Sequence, residues 1–542
     1  MGRYRLTTAS KIIMIILVLA LAGGGIFAGV KTGFIKTSSK NQNEVMEMEV
    51  NKVKDRVENN QTDMNVSNDS DELSNNTINM SIDEWVGYVP IVKANGDFTT
   101  QIESIYAKHG INLNLHVIND ATQSSNALIK GELDAAGYTI NRLAFLSDKF
   151  SNSGVDVVMP YITNYSNGGD GIIAKSSIQS IEDLVGARVG VPQFSESHAM
   201  LVWFVNQSNL TNEEKTQIID NLILFETADE AAKAFFAGKI DVAGTWQPYL
   251  SQAEDMTDSH ILFSTANSTK LIMSGIVFRK DFAESNPELV SKFIDATLEA
   301  RELYATEESI DVLKKVMPMF SGMENDDIIG MTQDAALTTW KDNVNVLKED
   351  AKTIYTSMCD VWTSIGERAN SSAVDEIFDV SYMNMLSDKY DSLSAETSVV
   401  ENYTPVTDEN KQQVLNKKEL FTKRATITFE VDLAEFKAPE EATSILDEFI
   451  ETAKILDGAI IQIEGNTEPI KGRDPASDTG AIQLSLERAE KVKQYFIMNG
   501  ISANRIIVVG NGATKTIVPN TTEENRALNR RTDVFFKLVE QE

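Results

Sequence analysis

The sequence predicts a chain of mixed α/β and α+β class that carries one N-terminal transmembrane helix. Three observations support this prediction. Residues 12–30 contain no charged residue, strand and helix signals alternate from Ile82 onwards, and a β-α-β-α-β pattern follows residue 421. A length of 542 residues leaves room for several domains.

Composition excludes several classes of function. The chain has 49 basic and 80 acidic residues and a formal net charge of −31, which argues against a nucleic-acid partner because a phosphate backbone attracts clustered Lys and Arg. Its single cysteine, Cys359, excludes an intramolecular disulfide. The four histidines stand in no HxxxH or HExxH pattern, so we expect no metal, no cofactor and no enzymatic activity.

The apolar run at residues 12–30 is long enough for a membrane anchor. Its uncharged residues would span roughly 28 Å as a helix, about the thickness of one hydrocarbon core. Basic residues flank the run on both sides, so the positive-inside rule does not set its orientation. A cleaved signal peptide is the alternative interpretation. We expect residues 1–11 to form a cytoplasmic tail, and residues 31–80, rich in Asn and acidic residues, to form a disordered tether.

Residues 81–395 show the alternation that is typical of an α/β domain. Strand signals such as INLNLHVI and VDVVMPYI alternate with helix signals up to about residue 280, and mostly helical segments follow. This order predicts a mainly parallel sheet. Because ligands of open α/β sheets bind at the carboxyl ends of the strands, we expect binding residues in the loops there. The candidates are Trp85, Tyr88, Thr139, Asp170, Ser195, Ser197 and Trp246.

These candidates indicate the chemistry of a ligand. Ser195 and Ser197 begin a predicted helix, whose free N–H groups favour an anion such as a sulfonate, phosphate or carboxylate. The aromatic candidates suit the wall of a cleft or a stacked cation, and Asp170 suits an amine. The alternatives are that Ser195 is an ordinary helix N-cap and that Trp246 is a core residue.

Five segments spread over this domain carry a family resemblance. They read WVGYVP, ALIKGELDAAG, IEDLVGARVGVPQFSESHAML, ADEAAKAFFAGKIDVAGTWQPYL and GIVFRKDFAESNPELVSKFI. In this order they resemble the solute-binding proteins of ABC importers of the nitrate, sulfonate, taurine and thiamine-precursor type. The resemblance implies a periplasmic-binding-protein fold, whose two lobes close on a small molecule, and an ABC permease as a partner.

A polar interval at residues 396–420 separates this domain from a last one at residues 421–542. There RATITFEVDL, AIIQIEG and RIIVVGNG read as strands, with helices between them. The segment LSLERAEKVKQYFIMNG, residues 484–500, predicts a helix that ends at its Asn-Gly pair. Arg488 falls in the first turn of this predicted helix, at the margin of its apolar stripe. A snorkelling arginine is the simplest interpretation.

Four segments of the last domain point to a ligand for Arg488. IEGNTE, LSLERAEKVKQYFIMNGI, RIIVVGNG and NTTEENRALNRRTDV resemble the OmpA-like peptidoglycan-binding domain. The resemblance implies that Arg488 binds the carboxylate of a diamino acid in a peptidoglycan stem peptide, and that Glu468 receives its amine. A guanidinium suits this role because it binds a carboxylate through a paired fork. Arg531 is a secondary ligand candidate, although Arg530 and Arg531 also suit buried ion pairs.

The sequence departs from that family at several positions. Glu468 stands where the family has Asp, Asn466 where it has His, and Ala481 where it has Asn. The insert PIKGRDPASDTG lengthens the loop before the helix. Its Asp474 and Asp478 are alternative partners for the amine.

Together these features predict a single-pass protein of the cytoplasmic membrane, with its N-terminus inside and most of the chain in the periplasm or cell-wall zone. We expect it to bind a small solute for transport or sensing, either an anion such as a sulfonate, nitrate or phosphate, or a zwitterion, and to attach to peptidoglycan. The alternatives are a structural membrane-to-peptidoglycan linker, or a signalling or stator-like envelope protein, with a degenerate solute cleft. An ion-conducting stator needs an ionisable group in its membrane helix, and residues 12–30 contain none.

Overall fold

The computed structural model describes residues 76–391, 405–416 and 426–537, which form two compact units. Of the described residues, the first unit is built mainly from those up to Tyr165 and from Met273–Cys359, and the second from Ser166–Ile272 and the C-terminal region. The predicted anchor and nearly all of the predicted tether lie outside the described residues. No helix in the described ranges combines the length and the apolar character that crossing a membrane requires.

The strands and helices have the following bounds. The strands are β1 (Thr77–Ile82), β2 (Asn112–Val117), β3 (Ala135–Thr139), β4 (Val157–Ser166), β5 (Asp170–Lys175), β6 (Val189–Pro192), β7 (Ile223–Phe225), β8 (Val242–Trp246), β9 (Ser259–Ser264), β10 (Met273–Arg279), β11 (Ala335–Leu337), β12 (Thr426–Thr428), β13 (Ile460–Gly465), β14 (Ile506–Gly510) and β15 (Arg531–Lys537). The helices are α1 (Val89–Asn95), α2 (Ile105–Lys108), α3 (Ala121–Lys130), α4 (Ile140–Ser153), α5 (Glu196–Gln207), α6 (Asn212–Asp220), α7 (Ala228–Phe236), α8 (Tyr249–Glu254), α9 (Lys280–Ser285), α10 (Pro287–Ala300), α11 (Glu307–Val316), α12 (Asn325–Met331), α13 (Trp340–Val346), α14 (Asp350–Ser364), α15 (Val374–Ile377), α16 (Ser381–Asn384), α17 (Ser387–Tyr390), α18 (Lys411–Asn416), α19 (Pro439–Ile455), α20 (Thr479–Met498) and α21 (Glu523–Asn529).

The first unit contains a six-stranded sheet with the order β11-β4-β10-β3-β1-β2. Strand β1 is parallel to β2 and β3, whereas β10 is antiparallel to both β3 and β4. Strands β1, β2, β3 and β4 therefore run in one direction, as expected of a mainly parallel sheet, and β10 runs against them. The chain leaves this unit after Tyr165, near the carboxyl end of β4. It re-enters at Met273, the first residue of β10, and β10 pairs with β4 in the opposite direction.

Strand β1 begins inside the segment that was predicted to be a tether. Its residues Ile78, Met80 and Ile82 alternate with polar residues and are all buried. This period of two is the pattern of a strand with one face on the core. Strand β1 is difficult to recognise in the sequence because the segment that precedes it is polar.

The second unit contains a five-stranded sheet with the order β7-β6-β8-β5-β9. Strand β6 is parallel to β7 and β8, and β5 is antiparallel to β8 and β9. Helix α7 covers one face, where Ala231 and Phe235 pack in a buried cluster with Ile173 and Ala243 of the sheet. This sheet is therefore also mixed.

The C-terminal domain, in the same unit, is built on a four-stranded sheet with the order β12-β15-β13-β14. Strand β13 is parallel to β14 and antiparallel to β15. Helix α20 lies very close to this sheet, because a Cβ at Gly465 would stand only 1.8 Å from the Ser485 carbonyl oxygen. Only glycine permits this approach.

Helix α20 begins at Thr479 rather than near residue 484, because the Asp478 side chain accepts a hydrogen bond from the Ala481 N–H. Arg488 consequently lies in the third turn, which corrects its predicted place in the first turn. The predicted end of the helix is confirmed. The C-cap is Asn499, and Gly500 has a φ of 91°.

Part of the predicted linker packs on the C-terminal domain. Val414 in α18 is 3% exposed and forms a buried cluster with Ile460 and Ile507. The Nζ of Lys537 donates a 3.0 Å hydrogen bond to the Leu415 carbonyl. The other residues of the predicted linker, 396–404 and 417–420, lie outside the described residues.

Candidate functional site

One end of the first sheet gathers the carboxyl ends of β1, β3 and β4, since β1 is parallel to β3 and β10 is antiparallel to both β3 and β4. Trp85 follows β1 there, and its Nε1 donates a 2.9 Å hydrogen bond to Oδ1 of Asn164. In turn, Nδ2 of Asn164 donates to the Gly87 carbonyl at 3.2 Å. These bonds position the Trp85 indole beside β4. Asn164 was not among the predicted candidates, because its only signal in the sequence is a polar side chain near the end of an apolar strand.

The other two candidates of this unit also have structural roles. Tyr88 is 1% exposed, and a Cβ on Gly137 would lie 2.7 Å from its hydroxyl oxygen, so its ring packs on bare backbone of β3. Thr139 is the N-cap of α4, and its hydroxyl accepts the Arg142 N–H at 3.1 Å. Trp85 and Thr139 are partly exposed, whereas Tyr88 belongs to the core.

One end of the second sheet carries the other candidates. Asp170, the first residue of β5, pairs with Trp246, the last residue of β8. The Asp170 carboxylate is buried and accepts a 2.7 Å hydrogen bond from the Ser166 hydroxyl. That hydroxyl lies 2.9 Å from the hydroxyl of Thr265, which also accepts the Gly168 N–H at 2.9 Å. Thr265, which follows β9, is a second residue that was not among the predicted candidates.

Ser195 is the N-cap of α5, as the alternative interpretation stated. Its hydroxyl accepts the His198 N–H at 3.2 Å and donates to the Pro192 carbonyl at 2.7 Å. Ser197 is fully buried, with its Oγ 3.3 Å from that of Ser195. A Cβ on Gly244 would lie 3.2 Å from this Oγ, so the start of α5 lies close against β8. The candidates in β8 and α5 therefore share one end of the sheet.

Helix α5 also carries a buried imidazole. The Nδ1 of His198 accepts the Phe194 N–H at 3.1 Å, and its ring makes an edge contact with Trp362 at 5.6 Å between centroids. Phe194 has a φ of 57°, a left-handed conformation that aims its N–H at the ring. Burial lowers the pKa of His198 to about 4, so the imidazole is neutral at pH 7.

The guanidinium of Arg488 is enclosed by backbone carbonyls of the C-terminal domain. The residue is 0% exposed. Its Nε donates to Leu433 at 3.0 Å, its Nη1 to Asn466 at 3.2 Å and its Nη2 to Glu430 at 2.9 Å. The guanidinium also lies 5.2 Å from the ring centroid of Phe429. These contacts are more specific than those of a snorkelling side chain.

Arg488 keeps its charge in this environment. Burial, aided by the nearby charge of Arg530, lowers the pKa of Arg488 to about 10, which is still well above neutrality, and the charges of Asp432 and Glu468 oppose this shift. Within the described part of the chain, no carboxylate forms an ion pair with Arg488. The site therefore holds a cation whose acceptors are all neutral.

Glu468 lies in a network of four charged side chains. Its Oε1 lies 2.8 Å from Nη1 of Arg530, and its Oε2 lies 3.4 Å from Nε of Arg526. Glu523 contacts the same two arginines, at 2.7 Å and 2.8 Å. Both oxygens of the predicted amine acceptor thus already face a guanidinium.

The remaining candidates of the C-terminal domain also have partners within the domain. Arg531 is 2% exposed, with its Nε 3.0 Å from Asp533, in agreement with a role inside the fold. Asp478 caps α20 and lies 3.2 Å from Arg473 within the insert. Asp474 accepts hydrogen bonds from its own turn. No group of three His, Cys, Asp or Glu side chains in the described ranges could hold a metal ion.

Two family models match the chain. Residues 96–308 match the family described as NMT1/THI5 like, and residues 428–530 match the OmpA family. The chain therefore contains an NMT1/THI5-like solute-binding domain followed by a C-terminal OmpA domain. Both predicted resemblances are confirmed.

Known relatives match each domain separately. The taurine-binding periplasmic protein of Escherichia coli (strain K12) is 22% identical over 249 residues, which cover 43% of this chain and 72% of that protein. Outer membrane protein A of Bordetella avium is 35% identical over 94 residues, which cover 17% of this chain and 46% of that protein. The crystal structure of the periplasmic aliphatic sulphonate binding protein SsuA from Escherichia coli aligns with a TM-score of 0.45 and 17% identity, over 56% of this chain and 98% of that one.

Proposed function

We propose that this protein is an envelope solute receptor that is held at the cell wall. The observation that carries the proposal is the presence of an NMT1/THI5-like domain and an OmpA domain in one chain. The first domain captures a small molecule without converting it and delivers it to a permease or a sensor. The second binds peptidoglycan and so keeps the receptor near the wall.

For the solute we propose a small anion or zwitterion, such as a sulfonate, nitrate or an aminosulfonate. The N-terminus of α5 favours an anionic group near Ser197, and the Asp170 carboxylate suits an ammonium group. Trp246, on the neighbouring strand, supplies a flat apolar surface for the alkyl part. The name of the taurine-binding relative agrees with this class of ligand.

A thermal-shift experiment tests solute binding. Taurine, short alkanesulfonates and nitrate are added to the full-length protein, and a bound ligand at a hundred times its Kd stabilises the protein by about 2.7 kcal/mol. Trp246→Ala and Ser197→Ala should abolish the shift. Ser208→Ala, at the other end of α5, is the matched control and should retain it, because that hydroxyl donates to the Val205 carbonyl and accepts the Leu210 N–H.

The outcomes separate a binding role from a structural one. Retention of the full shift by both site variants would contradict the assigned site. An unfolded Trp246→Ala variant would support the alternative that Trp246 is a core residue. A ligand series that never shifts the wild-type protein would contradict solute capture of this class.

For the wall we propose that Arg488 binds a stem-peptide carboxylate. Support comes from its charged guanidinium, whose acceptors among the described residues are all neutral carbonyls. By resemblance, Glu468 is the candidate for the amine and Arg531 the secondary ligand candidate. Loss of one partner of a desolvated charge pair typically costs about 2–5 kcal/mol. Such a loss would abolish weak binding.

Sedimentation of the full-length protein with purified peptidoglycan tests this role. Arg488→Lys should reduce sedimentation strongly, because an ammonium cannot form the paired fork. Arg505→Lys is the matched control, since Arg505 is also buried and also donates to carbonyls, those of Ala459 and Leu456. Equal sedimentation of the two variants would contradict the proposal.

The predicted anchor at residues 12–30 completes the proposal, with the N-terminus in the cytoplasm. Support comes from the uncharged run and from the names of two relatives, a periplasmic protein and an outer membrane protein. The protein should remain in the membrane fraction after a high-salt wash, with its N-terminus intact. A soluble mature form that begins near residue 23 or 29 would contradict the anchor.

A further inference from the structure

The OmpA domain contacts one lobe of the solute-binding domain. Both belong to the second unit, in which residues Ser166–Ile272 carry the five-stranded sheet and form the second lobe. Helix α19 of the OmpA domain contacts the short turn Thr269–Leu271 of this lobe. In addition, Oγ1 of Thr452 in α19 lies 3.4 Å from Oε1 of Gln207, the last residue of α5. Two separate segments of the second lobe therefore meet one helix of the OmpA domain.

Burial on α19 agrees with this contact. The apolar face of the helix lies on its own sheet, where Phe449 stacks on Phe536 of β15 at 5.7 Å between ring centroids. Helix α20 lies on one flank, since the Tyr495 hydroxyl donates to Asp447 at 2.8 Å. With 3.6 residues per turn, Thr452 lies about 140° around the helix from Asp447. Thr452 is nevertheless only 3% exposed, so the flank that meets the second lobe is also covered.

The first contact segment, α5, leads directly to the candidate solute site. Its N-cap is Ser195, the fully buried Ser197 lies in its first turn, and it ends at Gln207. The helix has 12 residues and is therefore about 18 Å long. One rigid element thus connects the predicted anion site with the OmpA domain.

The second contact segment leads to the Asp170 network. The Thr265 hydroxyl lies 2.9 Å from that of Ser166, which donates to Asp170. The Ser268 N–H then donates to the Thr265 carbonyl at 3.2 Å, and the Leu271 N–H donates to the Ser268 carbonyl at 2.9 Å. Leu271 is fully buried. Two consecutive hydrogen-bonded turns therefore connect this network with the residues that α19 contacts.

The contact with α19 lies wholly on one side of the crossings between the units. The chain passes from the first unit into the second lobe between Tyr165 and Ser166, and returns between Ile272 and Met273. The Ser166 N–H donates to the Ile272 carbonyl at 2.9 Å, so the two crossings are adjacent. Rotation at these crossings, as in the closure of periplasmic binding proteins, therefore leaves α19 on the second lobe.

We propose that the second lobe and the OmpA domain form one body, so that solute capture moves the first unit relative to the cell wall. This inference rests on the proposed solute capture and wall binding. The OmpA domain then fixes one lobe at the wall. The six-stranded sheet, with the helices packed on it, is the part that moves when the lobes close.

Distances between spin labels on the full-length protein test the common body. The labels are attached to cysteines introduced at three exposed positions, Thr216 in the second lobe, Lys491 in the OmpA domain and Glu307 in the first unit. The native Cys359 is buried and should remain unlabelled. The distance between positions 216 and 491 should have one narrow peak.

Substitutions at the contact should broaden this distance distribution. Thr452→Arg should widen it at least about twofold, because domains without a fixed interface move independently by default. Glu451→Arg, the same substitution at an exposed neighbour, is the matched control and should leave it narrow. Gln207→Arg disrupts the contact from the second lobe and should also widen the distribution, which decides the test if Thr452→Arg does not fold. Equal widths in the wild-type protein and in both contact variants would overturn the proposal.

Addition of taurine distinguishes this proposal from a failure of solute capture. At a concentration that raises Tm, taurine should change the distance between positions 307 and 491 and leave the distance between positions 216 and 491 unchanged. Equal changes in both distances would overturn the proposal. If taurine, short alkanesulfonates and nitrate all leave Tm unchanged, solute capture of this class is wrong. The width of the distribution between positions 216 and 491 then still decides whether the lobe and the OmpA domain form one body.

Discussion

Helices α5 and α20 each bury a basic side chain next to a sheet, but one of these side chains is neutral at pH 7 and the other is charged. Each lies close against a sheet at a glycine, and each buries a basic side chain, His198 in one and Arg488 in the other. Burial lowers the pKa of His198 to about 4 and that of Arg488 to about 10. The imidazole is therefore neutral at pH 7 and the guanidinium is charged. The same cause yields an uncharged site in one domain and a cationic site in the other, because the two groups start from different pKa values.

The surroundings of the two groups agree with their charges. His198 accepts one backbone N–H and packs against Trp362, which suits a neutral ring. Arg488 donates to three carbonyls and lies over Phe429, which suits a cation. The comparison predicts that the two domains respond differently to mutation and to pH.

The largest effect is expected for Arg488→Ala. It removes a fully buried side chain and its donors to three carbonyls, of which that of Glu430 keeps a backbone bond, from the Leu433 N–H at 3.4 Å. Each group that stays unsatisfied costs about 1–3 kcal/mol. We expect the C-terminal domain to lose about 4–5 kcal/mol of unfolding free energy in total. All five tryptophans lie between Trp85 and Trp362, so circular dichroism should show the loss while tryptophan fluorescence shows little change. A fluorescence transition that shifts as far as the dichroism signal would contradict a local effect.

Gly465→Ala should cause the second-largest loss of unfolding free energy. The new Cβ would lie 1.8 Å from the Ser485 carbonyl oxygen, so helix α20 must move away from β13. Overpacking of this kind typically costs about 1–3 kcal/mol, and contact with backbone places this change near about 3 kcal/mol. Urea unfolding followed by circular dichroism measures the loss. An unfolding free energy within about 1 kcal/mol of the wild-type value would mean that the helix is less tightly packed than the structure shows.

The pH dependence of the solute-binding domain should follow His198. The unfolded imidazole takes up a proton below about pH 6.5, whereas the folded one stays neutral down to about pH 4. The stabilisation is therefore complete above pH 6.5 and is lost as the pH falls through this window, by about 3 kcal/mol at most. Urea unfolding followed by tryptophan fluorescence at pH 7 and pH 4.5 should show the loss in the wild-type protein.

His198→Gln is the control for this pH effect. Its amide oxygen can accept the Phe194 N–H, and it has no proton to gain in this range. The variant should lose less stability than the wild-type protein between the two pH values. Identical losses would mean that other groups, such as the carboxylates, account for the acid sensitivity.

The smallest effect is expected for Gly244→Ala, the counterpart of Gly465→Ala. Here the new Cβ would meet only side-chain atoms, Cγ1 of Val191 at 3.0 Å and Cβ of Ser197 at 3.2 Å. Small shifts relieve such contacts, so we expect a cost of about 1 kcal/mol or less. The tryptophan fluorescence transition measures it. A cost equal to that of Gly465→Ala would remove the proposed difference between the two helix–sheet contacts.

Much of the fold could be predicted because its signals are local. The end of α20 at Asn499 depends on a terminator within two residues, and the N-cap role of Ser195 depends on the N–H of His198 three residues away. The start of α20 was predicted too late, since the capping role of Asp478 is hidden in an insert that reads as a loop. Strand β1 was missed for a related reason, because its alternation follows directly on a polar segment.

The candidate sites could be predicted only in part. Trp246 and Asp170 were expected at strand ends, and the structure pairs them on adjacent strands. Asn164 and Thr265 were missed, because each contacts a candidate that is distant in the sequence. The burial of Tyr88 against Gly137 likewise depends on a strand that lies some fifty residues further along the chain.

The sequence by itself determined the classes of the two domains, the alternation of strands and helices, and the residue types at the sites. These depend on periodicity, capping and motifs, which act over a few residues. Only the tertiary structure decided the direction of β10, the carbonyls around Arg488 and the two arginines that pair with Glu468. Leu433 lies 55 residues from Arg488, and Arg530 lies 62 residues from Glu468. The charge that a site offers to a ligand depends on such distant partners, because burial and pairing are set by which strands and loops meet in space.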